Sequence, residues 1–217
     1  LLERFSDAGL DADEHALVSL ARAGAEQSRG RGRAMLDEVR NLQSVDHSSP
    51  ILRRVADAWA GVAGAMAGES LGAAFRSSVV LAHESAAQSL QHFEGIALHN
   101  AANAALAQAN YVDAQRLASR ARAVLADSPS DASVVPSAIM VEAIARAEGG
   151  NLDGGFAMAK TAAEHEQAGP DVVADAAYMA LVRGDIDAAD VLERRLQRMI
   201  RSGPTELGTQ YRARILN

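Results

Sequence analysis

Apolar residues along this chain recur at helical spacing. Leu192, Leu196, Met199 and Ile200 stand at i, i+4, i+7 and i+8, while Arg194, Arg198 and Arg201 stand at i, i+4 and i+7 on a different face. Val55, Trp59, Val62 and Met66 form a second apolar stripe, and a tryptophan in such a stripe reads as core rather than as the wall of a ligand cage. No segment shows the strict apolar–polar alternation of a half-buried strand. Breakers divide the sequence into helical blocks: 1–8, 13–28, 33–45, 51–67, 71–89, 91–108, 112–126, 136–148, 152–168, 171–183, 187–201 and a last one from 204. Ser49 suits an N-cap and Pro50 the first helical position after it. The pattern predicts an all-α chain.

Taken in pairs, the blocks give hairpins over 13–45, 51–89, 91–126, 136–168 and 170–201, a partial helix at 1–8, and an unpaired helix at 204–217. In that last helix Leu207, Tyr211 and Ile215 share one face. The turns inside four of the hairpins resemble one another: GESLGAA (68–74), ANYVDAQ (109–115), GNLDGGF (150–156) and GDIDAAD (184–190). Their matching residues Ser70, Tyr111, Leu152 and Ile186 are 41, 41 and 34 positions apart. Two helices per period of that length mark a helical-hairpin solenoid. Asn110 and Tyr111 then end one helix and start its partner, and the alanines around them are points where helices pass closely. Residues 1–217 are expected to form one repeat domain, a segment of a longer array.

This pattern resembles the tetratricopeptide repeat (TPR) family. Residues 95–128 carry the resemblance most fully, with Leu98, Ala101, Ala102 and Ala105 in the first helix and Ala114, Ala118 and Ala121 in the second. The last repeat matches through Ala177, Ala180 and Ala189 and departs at Glu193, where the family favours a bulky apolar residue. The repeat at 136–169 keeps Gly155, Ala159 and Ala162, with Glu142 and Arg146 in place of apolar residues. The unit at 51–89 keeps Gly61 and Ala73. The resemblance implies a right-handed superhelical array of about five antiparallel hairpins, a TPR-like α-solenoid. It also implies a concave groove lined by first helices, here His99, Asn103 and Leu106, then Met140 and Ile144, then Tyr178 and Leu181. Such a groove binds a protein or peptide segment without catalysis. A second reading is similar to the repeat region of large bacterial ATP-dependent transcription regulators of the LuxR type, whose repeats sense a small-molecule inducer or an inhibitory protein. An all-helical enzyme ranks last.

Composition sharpens this picture. With 48% hydrophobic residues but only one Trp, three Tyr and four Phe among 217 residues, the core must be built from Ala, Leu, Val, Ile and Met. The net charge of −7 is interspersed, which argues against direct nucleic-acid binding. No cysteine is present, so disulfides and thiolate metal sites are excluded, and a cytoplasmic location is expected. No apolar run approaches the ~18 residues of a membrane span. Arg and Ala usage suggests a bacterial source.

Candidate chemistry is sparse. His83, His92 and His99 invite a metal reading, but His92 and His99 lie two turns apart, ~10.5 Å along the helix axis. No His-Glu-x-x-His pair is present, so these read as ordinary structural or groove histidines. The turn Ser28-Arg29-Gly30-Arg31-Gly32-Arg33 lacks the Gly-Lys-Ser/Thr ending of a phosphate loop and follows no strand. It and the Arg194, Arg198, Arg201 stripe read as solvated. Glu142 and Glu193 lack a companion carboxylate or nucleophile. No Ser-His-Asp motif, glycine fingerprint or nucleic-acid module is present. Catalytic residues, cofactors and metals are therefore not expected.

Overall fold

The computed structural model of the chain describes residues 11–28, 31–43, 49–126 and 133–202. The expected helices at 1–8 and 204–217, and Arg29 and Gly30 of the basic turn, lie outside the described residues. The described residues contain ten α-helices and no strand: α1 (Ala12–Ser28), α2 (Gly32–Gln43), α3 (Pro50–Met66), α4 (Leu71–Ala87), α5 (Gln91–Ala107), α6 (Tyr111–Leu125), α7 (Val134–Glu148), α8 (Leu152–Glu164), α9 (Pro170–Arg183) and α10 (Ile186–Ser202). Helix α7 starts before Pro136, because a proline in the first turn removes only an N–H that has no partner within the helix. Helix α8 stops at Glu164, short of the expected 168. His165 turns extended (ψ 141°), and its carbonyl accepts from the Ala168 amide at 3.1 Å and from Arg195 Nη2 at 3.4 Å.

The recurring turns share one backbone device. Gly68 (φ 86°), Ala109 (57°), Gly150 (100°) and Gly184 (83°) all adopt the left-handed conformation. The next amide then closes back onto the preceding helix: Glu69 to Gly64 O at 2.7 Å, Asn110 to Ala105 O at 2.9 Å, Asn151 to Arg146 O at 3.0 Å, and Asp185 to Ala180 O at 2.9 Å. This is the Schellman closure, which satisfies carbonyls that the ended helix leaves open. In three turns the closing residue also caps the following helix. Asn110 accepts from the Asp113 amide at 3.3 Å, Asn151 from Gly154 at 2.9 Å, and Asp185 from Ala188 at 3.1 Å. At the start of α6, Asp113 also accepts from Arg116 Nη2 and Asn110 Nδ2, each at 2.8 Å. The Arg116 hydrogen bond first, and the Asn110 bond second, hold its carboxyl below the ordinary value.

The α3–α4 turn is longer by one residue. Glu69 closes it and Ser70 caps α4, accepting from the Ala73 amide at 3.2 Å. Ser70 is therefore the counterpart of the caps Asn110, Asn151 and Asp185. Aligning it with Tyr111, Leu152 and Ile186 is off by one, because a single extra turn residue leaves no mark in the hydrophobic pattern.

The chain divides into two compact units, Leu1–Ala104 and Ala105–Asn217. In the first, each of α1 to α3 packs on the next helix, and α1 also touches α3. Ala23, Met35, Leu36, Val39 and Ala63 form one core cluster with Trp59 against it; Ala16, Leu42, Leu52 and Ala56 form another. Helices α3 and α4 meet at Gly61, where a Cβ would lie 2.9 Å from Ala74 Cα and 2.5 Å from Ser77 Oγ. In the second unit, each of α6 to α9 packs on the next helix, and α7 also touches α9. Its core runs from Ile139 and Met140 through Phe156, Val172 and Val173 to Leu192 and Leu196, with alanines between. Helices α7 and α8 meet at Gly155, where a Cβ would lie 2.6 Å from Ala143 O and 2.7 Å from Ala147 Cβ. The expected contact alanines Ala102, Ala105, Ala114, Ala118, Ala121, Ala177 and Ala189 are all buried.

Ala109 is the one alanine among the four left-handed turn residues, and a Cβ is disfavoured there. Ala109→Gly is expected to raise stability by up to about 1 kcal/mol in urea unfolding, against the usual sign for adding a glycine.

Candidate interaction surface

In the second unit α7 and α9 touch. Ile144 is half-buried and packs against the core, as does Ala147 one turn further on. On α9, Tyr178 is 64% exposed, Leu181 48% and Val182 55%. Positions 178, 181 and 182 stand at i, i+3 and i+4, so they make one apolar strip. Ile186, 59% exposed, follows at the first position of α10. Large exposed apolar side chains held on regular helices mark contact surfaces more often than isolated ones do.

The seven groove residues expected from the sequence are distributed unevenly. Ile144 lies on α7, and Tyr178 and Leu181 lie on α9. Met140 is buried in the core, 3% exposed, and offers a ligand no surface. Leu106 is half-buried near the end of α5. His99 and Asn103 belong to the first unit and engage each other. Asn103 Nδ2 lies 3.1 Å from His99 Nε2 and also donates to the His99 carbonyl at 3.1 Å. Sequence reasoning missed Val182 and Ile186. Val182 was detectable as the residue one helical turn beyond Tyr178. Ile186 stands in the sequence pattern only as a turn marker.

Polar features are mostly self-satisfied. Arg183 donates to Asp153 at 2.7 Å and to Asp185 at 3.3 Å, and its guanidinium lies 5.2 Å from the centre of the Phe156 ring. It thus ties α9 to α8 and to the following turn. In the first unit a cleft of about 320 Å³ is lined by Arg54, Asp57, Ala73, Arg76, Ser77 and Val80. Arg54 there is held by Glu84 at 3.0 and 3.1 Å and by Asp57 at 3.8 Å. Arg194, Arg198 and Arg201 are exposed on α10. Among the described residues no group of three His, Cys, Asp or Glu could hold a metal ion, and no helix is long and apolar enough to cross a membrane.

Glu142, which stands where the repeat pattern has an apolar residue, is buried at 7% exposure. Its carboxylate lies 3.5 Å from Arg122 Nη2 on α6 and 3.7 Å from Arg146 Nη2 one turn along α7. Two half-exposed guanidiniums therefore share one buried carboxylate at the α6–α7 contact.

No family model matches the chain, and no curated protein matches it. Solved structures do. The TPR-like repeats of a kinesin light chain-type protein from Podosopora anserina share 13% identity, cover 88% of this chain and 97% of theirs, and superpose with a TM-score of 0.60. BtubC (BKLC) from P. vanneervenii shares 14% identity over 86% of this chain and 78% of its own, with a TM-score of 0.58. MamA from Desulfovibrio magneticus RS-1 shares 16% identity over 87% and 97%, with a TM-score of 0.52. The fold is that of TPR-like helical-repeat proteins.

The Glu142 arrangement has a consequence for stability. Glu142→Leu restores an apolar residue and leaves two arginines that solvent reaches, so it should be neutral or stabilising within about 1 kcal/mol. Arg122→Ala leaves the buried carboxylate with Arg146 alone and should cost about 1–2 kcal/mol by urea unfolding, less than a fully buried broken pair.

Proposed function

We infer that the chain is a non-catalytic interaction module that takes a protein or peptide segment on the α7–α9 face of its second unit. Tyr178 is the main anchor, Leu181 follows it on the same face of α9, and Ile144 on α7 takes part. The observation that carries this reading is the exposure of Tyr178 together with Leu181 and Val182 at i, i+3 and i+4 on α9, in a TPR-like fold. A tyrosine in such a place offers large contact area at low entropic cost, the profile of an interface hot spot. The α7–α9 face also suits an extended or helical segment better than a compact small molecule, because it is an open strip rather than an enclosed pocket.

The test uses the full chain and a displayed library of random twelve-residue peptides. Peptides selected on the wild-type protein should bind Tyr178→Ala about tenfold more weakly, a loss near 1.4 kcal/mol, with the melting temperature unchanged. A library that yields no binder, or binders indifferent to Tyr178→Ala, contradicts the reading.

A further inference from the structure

The α6–α7 contact has a counterpart one repeat later, where α8 packs on α9. The caps Asn110 and Asn151 relate α6 to α8 with an offset of 41, and the left-handed turn residues Gly150 and Gly184 relate α7 to α9 with an offset of 34. By these offsets Arg122, Glu142 and Arg146 correspond to Ala163, Ala176 and Ala180, which are fully buried in one apolar core. The chain thus builds the same junction once with three charges and once with three methyl groups, so the fold does not require the charges. Stability does not account for them either, since replacing a buried ion cluster by apolar residues is often neutral or stabilising. Such departures from the packing rule are expected at functional sites.

The three side chains are arranged to receive an anion. Glu142 Oε2 lies 3.5 Å from Arg122 Nη2 and Oε1 lies 3.7 Å from Arg146 Nη2, so one buried carboxylate holds a guanidinium at each of its oxygens. Both distances are long for a hydrogen bond, and Glu142 Oε2 and Arg122 Nε are buried without a hydrogen-bond partner. Neither arginine has another ionic or hydrogen-bond partner among the described residues. Solvent reaches both, with Arg122 43% and Arg146 39% exposed. Two cations on one anion leave an excess positive charge here, in a chain whose net charge is −7. We propose that Arg122 and Arg146 together bind one carboxylate, a Glu or Asp side chain of a partner segment, which spans the two guanidiniums from the solvent side as Glu142 spans them from within. The planar donor fork of a guanidinium suits a carboxylate. One carboxylate cancels the excess charge, whereas a phosphate dianion would leave the cluster negative. The inference goes beyond the α7–α9 reading and stands without it, because it concerns the α6–α7 contact and Tyr178 takes no part.

Nuclear magnetic resonance of the arginine Nε–H groups, recorded on the full chain at low ionic strength, tests it. The probes are the end-capped tripeptide Ala-Glu-Ala, its Ala-Gln-Ala counterpart and inorganic phosphate. The Glu tripeptide should shift the Arg122 and Arg146 signals together and saturate with a Kd of about 1–10 mM. Arg122→Gln and, separately, Arg146→Gln should weaken that binding at least about tenfold. Arg116→Gln removes the same charge from α6, where Arg116 is paired with Asp113, and should leave it unchanged. Backbone amide spectra report whether each variant is folded, and Arg146→Gln, which leaves Arg122 on Glu142, carries the test should Arg122→Gln fail to fold. No saturable shift at Arg122 and Arg146 overturns the proposal, as does an equal response to Ala-Gln-Ala or an equal loss with Arg116→Gln. Phosphate bound more tightly than the Glu tripeptide overturns it too and assigns the pair to a phosphorylated ligand. Peptide binding lost or kept with Tyr178→Ala bears on the α7–α9 reading alone.

Discussion

At the α3–α4 and α7–α8 contacts the helices come together across a glycine with no room for a methyl group, and the packing of the larger core side chains around these points depends on that closeness. At the α7–α8 contact the only space for a Cβ on Gly155 is already held by the Ala143 carbonyl and the Ala147 side chain. At the α3–α4 contact Gly61 faces Ala74 and Ser77 in the same way. Buried alanines extend the principle along α6, α8 and α9. Dispersion is strongest when surfaces touch without a gap, and small residues allow whole helix faces to touch. A chain with so few aromatics builds its core from aliphatic side chains, and small residues let their helices come near enough to touch.

Close antiparallel packing also needs a short turn that does not splay the two helices. The left-handed residue followed by a Schellman closure meets that need, and in three turns one residue both ends the first helix and caps the second. The caps are Asn, Asn and Asp, residues whose short polar side chains reach back to the backbone. Arg183 adds a side-chain tie from α9 across to α8, and the Glu142 carboxylate joins α6 to α7 through Arg122. Solvent reaches both partners of the Arg183 link and the arginine of the Glu142 link.

The helices were legible in the sequence because breakers and periodicity agreed. Gly-Pro before α9 and Ser-Pro before α3 set starts that the structure reproduces at Pro170 and Pro50. The repeated turns were visible because they share a glycine or alanine, then a polar cap. What escaped notice was of a different kind. The extra residue at Glu69 shifts a cap without changing the apolar pattern. The family resemblance groups Met140 with Tyr178 as groove residues, yet one is buried and the other exposed. That outcome depends on which neighbour covers each helix, and a single-helix pattern carries no such information. Glu142 was visible as an odd residue in an apolar position, but its pairing with Arg122 spans two helices and follows only from their contact.

The most direct test of close packing is the stability of Gly155→Ala, followed by thermal and urea unfolding of the full chain. Helix propensity alone assigns this change a gain of about 1 kcal/mol, since alanine is the better helix former. A Cβ forced against the Ala143 carbonyl and Ala147 should reverse that sign and give a net loss of about 1–3 kcal/mol. A protein made more stable by Gly155→Ala would contradict the account, because α7 and α8 could not then be in backbone contact at that point.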